Sequence, residues 1–365
     1  MSAIQGHDTI SERQLCALCF AALFSPLIRL LPRLPAAFAG RAAWLSPLAA
    51  AAAGALWLAF LRAFLRRRAE GEGLFELAER CLGPAAGRVL AALCALWLVF
   101  YGGVMLRVSA ERFLSTIYAN GRPTVFIAVM GAAAGWAAAG GLRQLARTAE
   151  VLLALILLAM GAVFLFSLTE VEPARLLPVK PGDAGGILLG ALPMLDMMSV
   201  YAYGVFLLRY VKKTPEEGRR PVRWMLLLTA AATAVLVMTV GAASAELVKD
   251  MQSPFFLVIR SIAVLGFIER IEAVVVGLWV AADFLLLAFV WLIAGDILKL
   301  LAGGRSRRPF AAGAAAVSIA AAFAVADNAF FLRKAAEYGI PAVNLAAAFV
   351  LLPALFLVGR ARGKL

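Results

Sequence analysis

Apolar runs of about 20 residues recur along this chain, and short charged segments separate them. A transmembrane α-helix needs roughly 20 predominantly apolar residues to cross the hydrocarbon core of a bilayer. Apolar residues make up 63% of the 365-residue sequence, and its mean hydropathy is +0.90, whereas soluble domains are roughly 45–50% apolar. We therefore predict an all-α polytopic membrane protein with ten transmembrane helices, at approximately residues 14–36, 43–64, 88–110, 123–141, 147–167, 184–210, 222–244, 271–298, 309–327 and 340–359.

The segments between these runs are too short to form a separate soluble domain of ordinary size. Residues 1–365 are therefore expected to form a single transmembrane domain. A division after the fifth span gives two halves of five spans each, at about residues 14–167 and about 184–359.

Each half opens with a helix that contains a proline near the middle of the span. Pro26 lies in LFSPLIRLLPRLP, and Pro193 lies in GALPMLDMMSVYAYG. Proline removes a backbone donor and leaves carbonyls free at membrane depth, where only protein or a water-filled cavity tolerates them. Broken helices in matching positions predict a 5+5 inverted repeat with broken first and sixth helices and a binding site at the membrane midplane. The alternative is that both prolines only kink packed helices.

Two aspartates lie deep in predicted spans. Asp196 and Asp283 are each about 12 residues, or about 18 Å, from one end of their span. An ionised aspartate at this depth costs on the order of 3 kcal/mol on insertion scales, so each should face a cavity, carry a proton or meet a cation. Arg29, three residues after Pro26, is the candidate cation.

Three roles are open for this group of charges. Arg29 can hold an anionic ligand group such as an amino acid carboxylate, Asp196 can receive an ammonium, or the two can neutralise each other as an internal pair. Arg29 can also snorkel to the outer surface, which would remove it from the site. Tyr101, within the third span, and Trp279, one turn before Asp283, are aromatic candidates for the same pocket or for helix packing.

The basic residues indicate how the chain lies in the membrane. If both termini are cytoplasmic, 22 of the 35 Lys and Arg residues lie on the cytoplasmic face, as the positive-inside rule requires. The net charge of +13 does not indicate nucleic-acid binding, because the basic residues are scattered through loops with little aromatic interleaving.

Motifs for enzyme chemistry are not found in the sequence. It contains no paired acidic motif for prenyl or phosphoryl transfer, no HExxH, no P-loop and no GxSxG. We therefore expect no catalytic residues, no metal site and no cofactor.

Segment 246–270 is too charged for a comfortable span and too apolar for a free loop. Its apolar residues recur at helical spacing, which predicts an amphipathic helix on the outer surface. Such a helix can cover the mouth of a cavity or act only as an interfacial connector.

Four stretches of the chain resemble one family. They are TISERQLCALCFAALFSPLIRLLP, AGRAAWLS, GLRQLARTAEVL and SPFFLVIRSIAVLGFIERIEAVVVGLWVAADF, and the FIERIEA sequence followed by LWV is the most specific part. They are similar to the B subunit of spore germinant receptors, the endospore germination permease family of the amino acid/polyamine/organocation superfamily.

This resemblance implies a protein of the inner membrane of dormant endospores. The implied partners are the lipid bilayer, a germinant receptor A subunit, a lipoprotein C subunit and a small nutrient, often an amino acid. The leading hypothesis is therefore a receptor subunit that binds a nutrient and signals germination through its partner subunits. The alternative is a proton-coupled amino acid or amine transporter in which Asp196 or Asp283 titrates.

The resemblance also implies a set of ligand-binding residues. Together with Arg29 and Trp279 from the analysis of charged and aromatic residues, the candidate set is Phe24, Ser25, Pro26, Tyr101, Met105, Leu192, Pro193, Asp196, Ala282, Asp283 and Leu286. The sequence departs from the family where relatives commonly have a glycine in the first broken helix, since Ser25 stands there before Pro26.

Overall fold

The computed structural model describes residues 8–68, 71–118, 121–211, 220–251, 253–261, 271–324 and 329–364. In these ranges the chain is almost entirely helical. The α-helices are α1 Glu12–Leu30, α2 Arg33–Ala39, α3 Ser46–Leu65, α4 Leu74–Leu82, α5 Pro84–Thr116, α6 Pro123–Gly140, α7 Leu142–Ser167, α8 Ala184–Gly190, α9 Leu192–Gly204, α10 Arg220–Ala243, α11 Ala245–Asp250, α12 Pro254–Ser261, α13 Ile271–Leu301, α14 Arg308–Ala324, α15 Ala329–Lys334, α16 Ile340–Ala346 and α17 Leu352–Ala361.

Tighter or wider turns continue several of these helices. Two 3₁₀ segments of six residues each adjoin these helices. Gly40–Leu45 directly precedes α3, and Val205–Tyr210 directly follows α9. Two π-helical turns, Ala335–Gly339 and Ala347–Leu351, lie on either side of α16.

Within the described residues every predicted span coincides with helical segments, so the all-α membrane architecture is confirmed. Nine of the ten predicted spans correspond to the apolar helices that follow, and α1, the first predicted span, is not among them. Among the described residues, eight helical segments are long and apolar enough to cross a membrane; they are Arg33–Leu65, Pro84–Thr116, Pro123–Gly140, Leu142–Glu170, Pro181–Tyr210, Arg220–Ala243, Ala273–Leu301 and Leu332–Ala361. The ninth predicted span corresponds to the shorter apolar helix Arg308–Ala324.

The first span, α1, lies at the centre of the molecule. Its residues from Leu18 to Leu27 are almost completely buried, and it packs against α7, α9, α10 and α13. A capping box starts the helix, because Oγ of Ser11 accepts a hydrogen bond from the backbone N–H of Gln14 and the Gln14 side chain accepts one from Ser11.

The interruption of the first span lies further along than the sequence indicated. We expected it at Ser25–Pro26, but α1 continues through Pro26 and ends at Leu30. The interruption is at Leu31–Pro32, before α2. A proline inside a helix can be accommodated by a bend when neighbouring helices pack around it.

The sixth span is interrupted where the sequence predicted. Helices α8 and α9 meet at Ala191, directly before Leu192 and Pro193. Pro193 is in the first turn of α9. Backbone N–H groups there have no intrahelical acceptor, so the N–H that proline lacks costs the helix no hydrogen bond.

The amphipathic segment is described only up to residue 261. Helix α12 buries Phe255, Phe256 and Ile259 and exposes Arg260, so its apolar face packs against α1, α10 and α13. The remaining apolar positions of the predicted helix, at residues 262–270, lie outside the described residues.

Candidate ligand-binding site

Asp196 is the acid at the centre of the first polar cluster. It lies in the second turn of α9 and is 7% exposed. Its Oδ1 accepts a hydrogen bond of 2.9 Å from Nδ2 of Asn344 on α16. The other side of the amide, Oδ1 of Asn344, accepts hydrogen bonds from the Tyr203 hydroxyl at 2.5 Å and from Nε1 of Trp97 at 3.2 Å. The amide therefore connects the acid to two aromatic side chains.

Tyr101 lines the same cluster from α5. Its ring lies parallel to that of Trp97, with centroids 6.4 Å apart, and 6.5 Å from the Tyr203 ring. The third, sixth and tenth spans thus meet in one polar and aromatic cluster. Asn344 lies between the two π-helical turns, and such turns often occur at functional positions in helices.

A second cluster surrounds Asp283 on α13. Oδ2 of Asp283 accepts a hydrogen bond of 2.6 Å from the Ser109 hydroxyl on α5. One turn further along α5, Nη1 of Arg112 donates to Oγ of Ser25 at 2.9 Å. The Arg112 guanidinium also lies 3.8 Å from the ring centroid of Trp279, within the range of a cation–π interaction. Arg112 therefore joins α1, α5 and α13.

Helix α12 contacts this second cluster. The ring of Phe256 lies 5.6 Å from the ring of Trp279. The described part of the amphipathic segment is thus in contact with a candidate site residue.

A cavity of about 430 Å³ opens beside the second cluster. It is enclosed by α1, α2, α5 and the beginning of the last span, and Ser253 adds one wall. Its lining residues are Arg29, Arg33, Leu34, Val108, Glu111, Arg112, Ser115, Ser253, Phe330, Leu332, Arg333, Ala336 and Glu337. Charged side chains of both signs make this a polar cavity.

Most of the charged side chains that line the cavity are held in ion pairs. Glu337 pairs with Arg33 and, at 3.2 Å, with Arg333, while Glu111 pairs with Arg107 at 2.8 Å. The Arg33–Glu337 pair connects the C-terminal end of the first span to the last span.

The structure gathers most of the candidate residues into these two clusters and the cavity. Arg29 lines the cavity, where its Nη2 lies 3.9 Å from Sδ of Met105. Five buried residues of the candidate set take no part in the hydrogen bonds of the two clusters; they are Phe24, Pro26, Pro193, Ala282 and Leu286. Leu192 is 44% exposed and does not join the clusters.

The internal pair of Arg29 with Asp196 does not form in the described part of the chain. Asp196 is hydrogen-bonded to Asn344, and the polar contact of Arg29 is the Met105 sulfur. Ligand binding by Arg29 and ammonium or proton binding by Asp196 stay predictions.

Two central residues were not identified from the sequence. Arg112 was placed beyond the third span, which was predicted to end at residue 110, whereas α5 continues to Thr116. Asn344 was overlooked as a single amide in an apolar run. In both cases the available signal is a polar side chain within one or two turns of the end of a predicted span, because such residues near membrane depth mark functional positions.

Comparison with known proteins assigns the family. The profile of the spore germination protein family of permeases matches residues 9–325, which is most of the chain. The chain belongs to this family. A search of curated proteins gave no match.

Membership of this spore germination family agrees with the fold. One solved structure with a similar fold is the substrate-bound outward-open state of a Na⁺-coupled sialic acid symporter. The likeness has a TM-score of 0.56 at 13% sequence identity and covers 92% of this chain and 79% of the symporter chain. The spore germination family member therefore has the fold of LeuT-type transporters and is a transporter-like membrane protein related to germination.

Proposed function

We propose that this chain is the nutrient-binding membrane subunit of a germinant receptor in the inner membrane of the spore. In this proposal a small nutrient, such as an amino acid, binds among α1, α5, α9 and α13. The occupied subunit then signals germination through a germinant receptor A subunit and a lipoprotein C subunit. Both termini face the spore core.

The observation that supports this proposal is the convergence of polar side chains from separate spans in a member of a germination family. Ser25, Tyr101, Asp196 and Asp283 come from α1, α5, α9 and α13. Guanidinium and carboxylate groups beside a cavity can bind the two charged ends of an amino acid. Buried aromatic rings next to them provide the apolar part of a small-molecule pocket.

Signalling requires that the ligand bind one conformation more tightly than another. A ligand shifts a conformational equilibrium only by its differential affinity for the two states. The contacts of Asn344 with Asp196 and of Glu337 with Arg33 connect the last span to the sixth and first spans. These contacts are the ones that a ligand placed between the clusters would strengthen or replace.

The second candidate function is proton-coupled transport of an amino acid or amine. The LeuT-type fold supports it, because transporters share that fold. In the described part of the chain, the side-chain partner of the buried Asp196 is the amide of Asn344. A buried acid with a neutral partner is also suited to bind and release a proton.

Binding and flux measured on the same preparation distinguish the two functions. The purified chain is reconstituted in proteoliposomes, ligand binding is measured with a panel of amino acids, and uptake is followed with and without a pH gradient. Binding that Asp196→Asn or Tyr101→Ala abolishes, in the absence of uptake, supports the receptor subunit. Uptake driven by the pH gradient supports the transporter and contradicts a pure receptor.

Matched controls for these variants are Asp250→Asn and Tyr118→Ala. Asp250 and Tyr118 are exposed residues outside the clusters, so their substitution should leave binding unchanged. Equal losses in both sets would show that the effect is not specific to the site. If the unaltered chain neither binds nor takes up any compound, that result would contradict both functions.

A further inference from the structure

Two of the four arginines that line the cavity have no carboxylate partner in the described part of the chain. Arg33 and Arg333 both pair with Glu337. Arg29 and Arg112 instead contact the Met105 sulfur, the Ser25 hydroxyl and the Trp279 ring. Among the described residues, the charge of the cavity that has no ion-pair partner is therefore positive.

Asp283 does not fill this role. Oδ2 of Asp283 is bonded to Ser109, and among the described residues no ion pair joins Asp283 to either guanidinium. Charges taken out of water are costly unless a partner of opposite charge is close, and Arg112 is only 8% exposed. An anion between the two guanidiniums would supply that partner.

The chemistry of the guanidinium groups limits the kind of anion. A guanidinium presents a planar fork of N–H donors that forms two parallel hydrogen bonds with a carboxylate, as it also does with a phosphate. Of these two groups, the carboxylate is the one that an amino acid nutrient carries. The carboxylates that line the cavity, Glu111 and Glu337, are already held in ion pairs, so they do not compete for it. The volume of about 430 Å³ lies in the usual range for small-molecule pockets.

We propose that Arg29 and Arg112 together bind the carboxylate of a small organic acid, amino acids included, in this cavity. The recognised feature of the ligand is then its negative group. This inference rests on the proposed function and narrows its ligand class, because amines and amides without a carboxylate are excluded.

Matched carboxylate and amide probes test the proposal on the full-length chain purified in detergent. The probes are L-alanine with L-alaninamide, L-leucine with L-leucinamide, and succinate with succinamide. Binding is measured by the rise in melting temperature and by calorimetry. At least one carboxylate should bind while its amide does not, and Arg29→Gln and Arg112→Gln should each weaken that binding about tenfold or more.

The control variant is Arg122→Gln, which changes an exposed arginine outside the cavity and should leave the affinity unchanged. Arg112→Lys keeps the charge but loses the fork, so an intermediate loss is expected. Melting of each ligand-free variant shows whether it folds. If Arg112→Gln does not fold, Arg29→Gln still provides the test, because its described polar contact is a single sulfur.

Three results would overturn the proposal: amides that bind as tightly as carboxylates, binding that survives Arg29→Gln, or no carboxylate binding up to about 10 mM. Spores that carry Arg29→Gln separate this inference from the proposed function. Normal germination on nutrient would overturn the carboxylate site and leave the receptor function standing. Loss of the nutrient response, with receptor abundance unchanged, supports both.

Discussion

Asn344 and Asp196, 148 positions apart in sequence, are joined by a hydrogen bond of 2.9 Å between the tenth and sixth spans. Both side chains are buried, and the amide is what the structure provides to the acid in place of water. We expect Asn344→Ala to lower the free energy of unfolding by about 1–3 kcal/mol, because it leaves a buried acid without its hydrogen-bond donor. The melting temperature of the purified protein in detergent measures this change.

Asp196→Asn is the matched control for that substitution. An asparagine at 196 keeps an acceptor oxygen for Asn344 and carries no charge to desolvate. Its melting temperature should therefore lie closer to that of the unaltered protein. A protein with Asn344→Ala that melts at the unaltered temperature would show that the hydrogen bond adds no stability.

The spans could be predicted from the sequence, whereas the contacts between them could not. The apolar composition of residues 222–244 is enough to predict a membrane span there, and α10 occupies 220–243. The Asn344–Asp196 contact instead depends on how two helices far apart in sequence are placed. Arg112 was missed for a related reason, since nothing local indicates that α5 extends past residue 110 and turns that arginine towards Ser25.

Close helix packing depends on Gly295 in α13. A Cβ added there would lie 2.6 Å from both Cα and N of Ala311 in α14, so one helix backbone would have to move. We expect Gly295→Ala to destabilise the protein by about 1–3 kcal/mol, the usual range for overpacking. Gly277 lies in the same helix with open space around it, so Gly277→Ala should leave the melting temperature unchanged or raise it. Equal effects at the two positions would contradict the packing explanation.

Ser115 and Ser306 provide a test of how the chain lies in the membrane. Both are exposed; Ser115 is near the C-terminal end of α5 beside the cavity, and Ser306 is between α13 and α14. With cytoplasmic termini, a membrane-impermeant maleimide should label Ser115→Cys in intact cells and Ser306→Cys only after lysis. The opposite pattern would mean that the termini face outwards.

The segment before α1 is held to the ends of the sixth and eighth spans. Ile10 donates a backbone hydrogen bond of 3.0 Å to the carbonyl of Tyr210, and Arg307 pairs with Asp8 at 2.8 Å. Asp296, which is 2% exposed, accepts a hydrogen bond of 2.5 Å from the Tyr210 hydroxyl. Nη1 of Arg307 lies 3.9 Å from the same carboxylate, so one arginine joins the two acids.

Arg307→Gln should release this segment, because Asp8 then loses its ion pair and the neighbouring backbone bond is left without that support. Local opening that becomes easier by about 1 kcal/mol raises the open population about fivefold. Arg13 is the first Lys or Arg in the sequence, so trypsin cleavage there removes an N-terminal epitope tag and its rate reports the opening. We expect that rate to rise about fivefold in Arg307→Gln and to stay unchanged in Arg308→Gln, which alters the neighbouring exposed arginine. Equal rates in the two variants would show that Arg307 does not hold the segment in place.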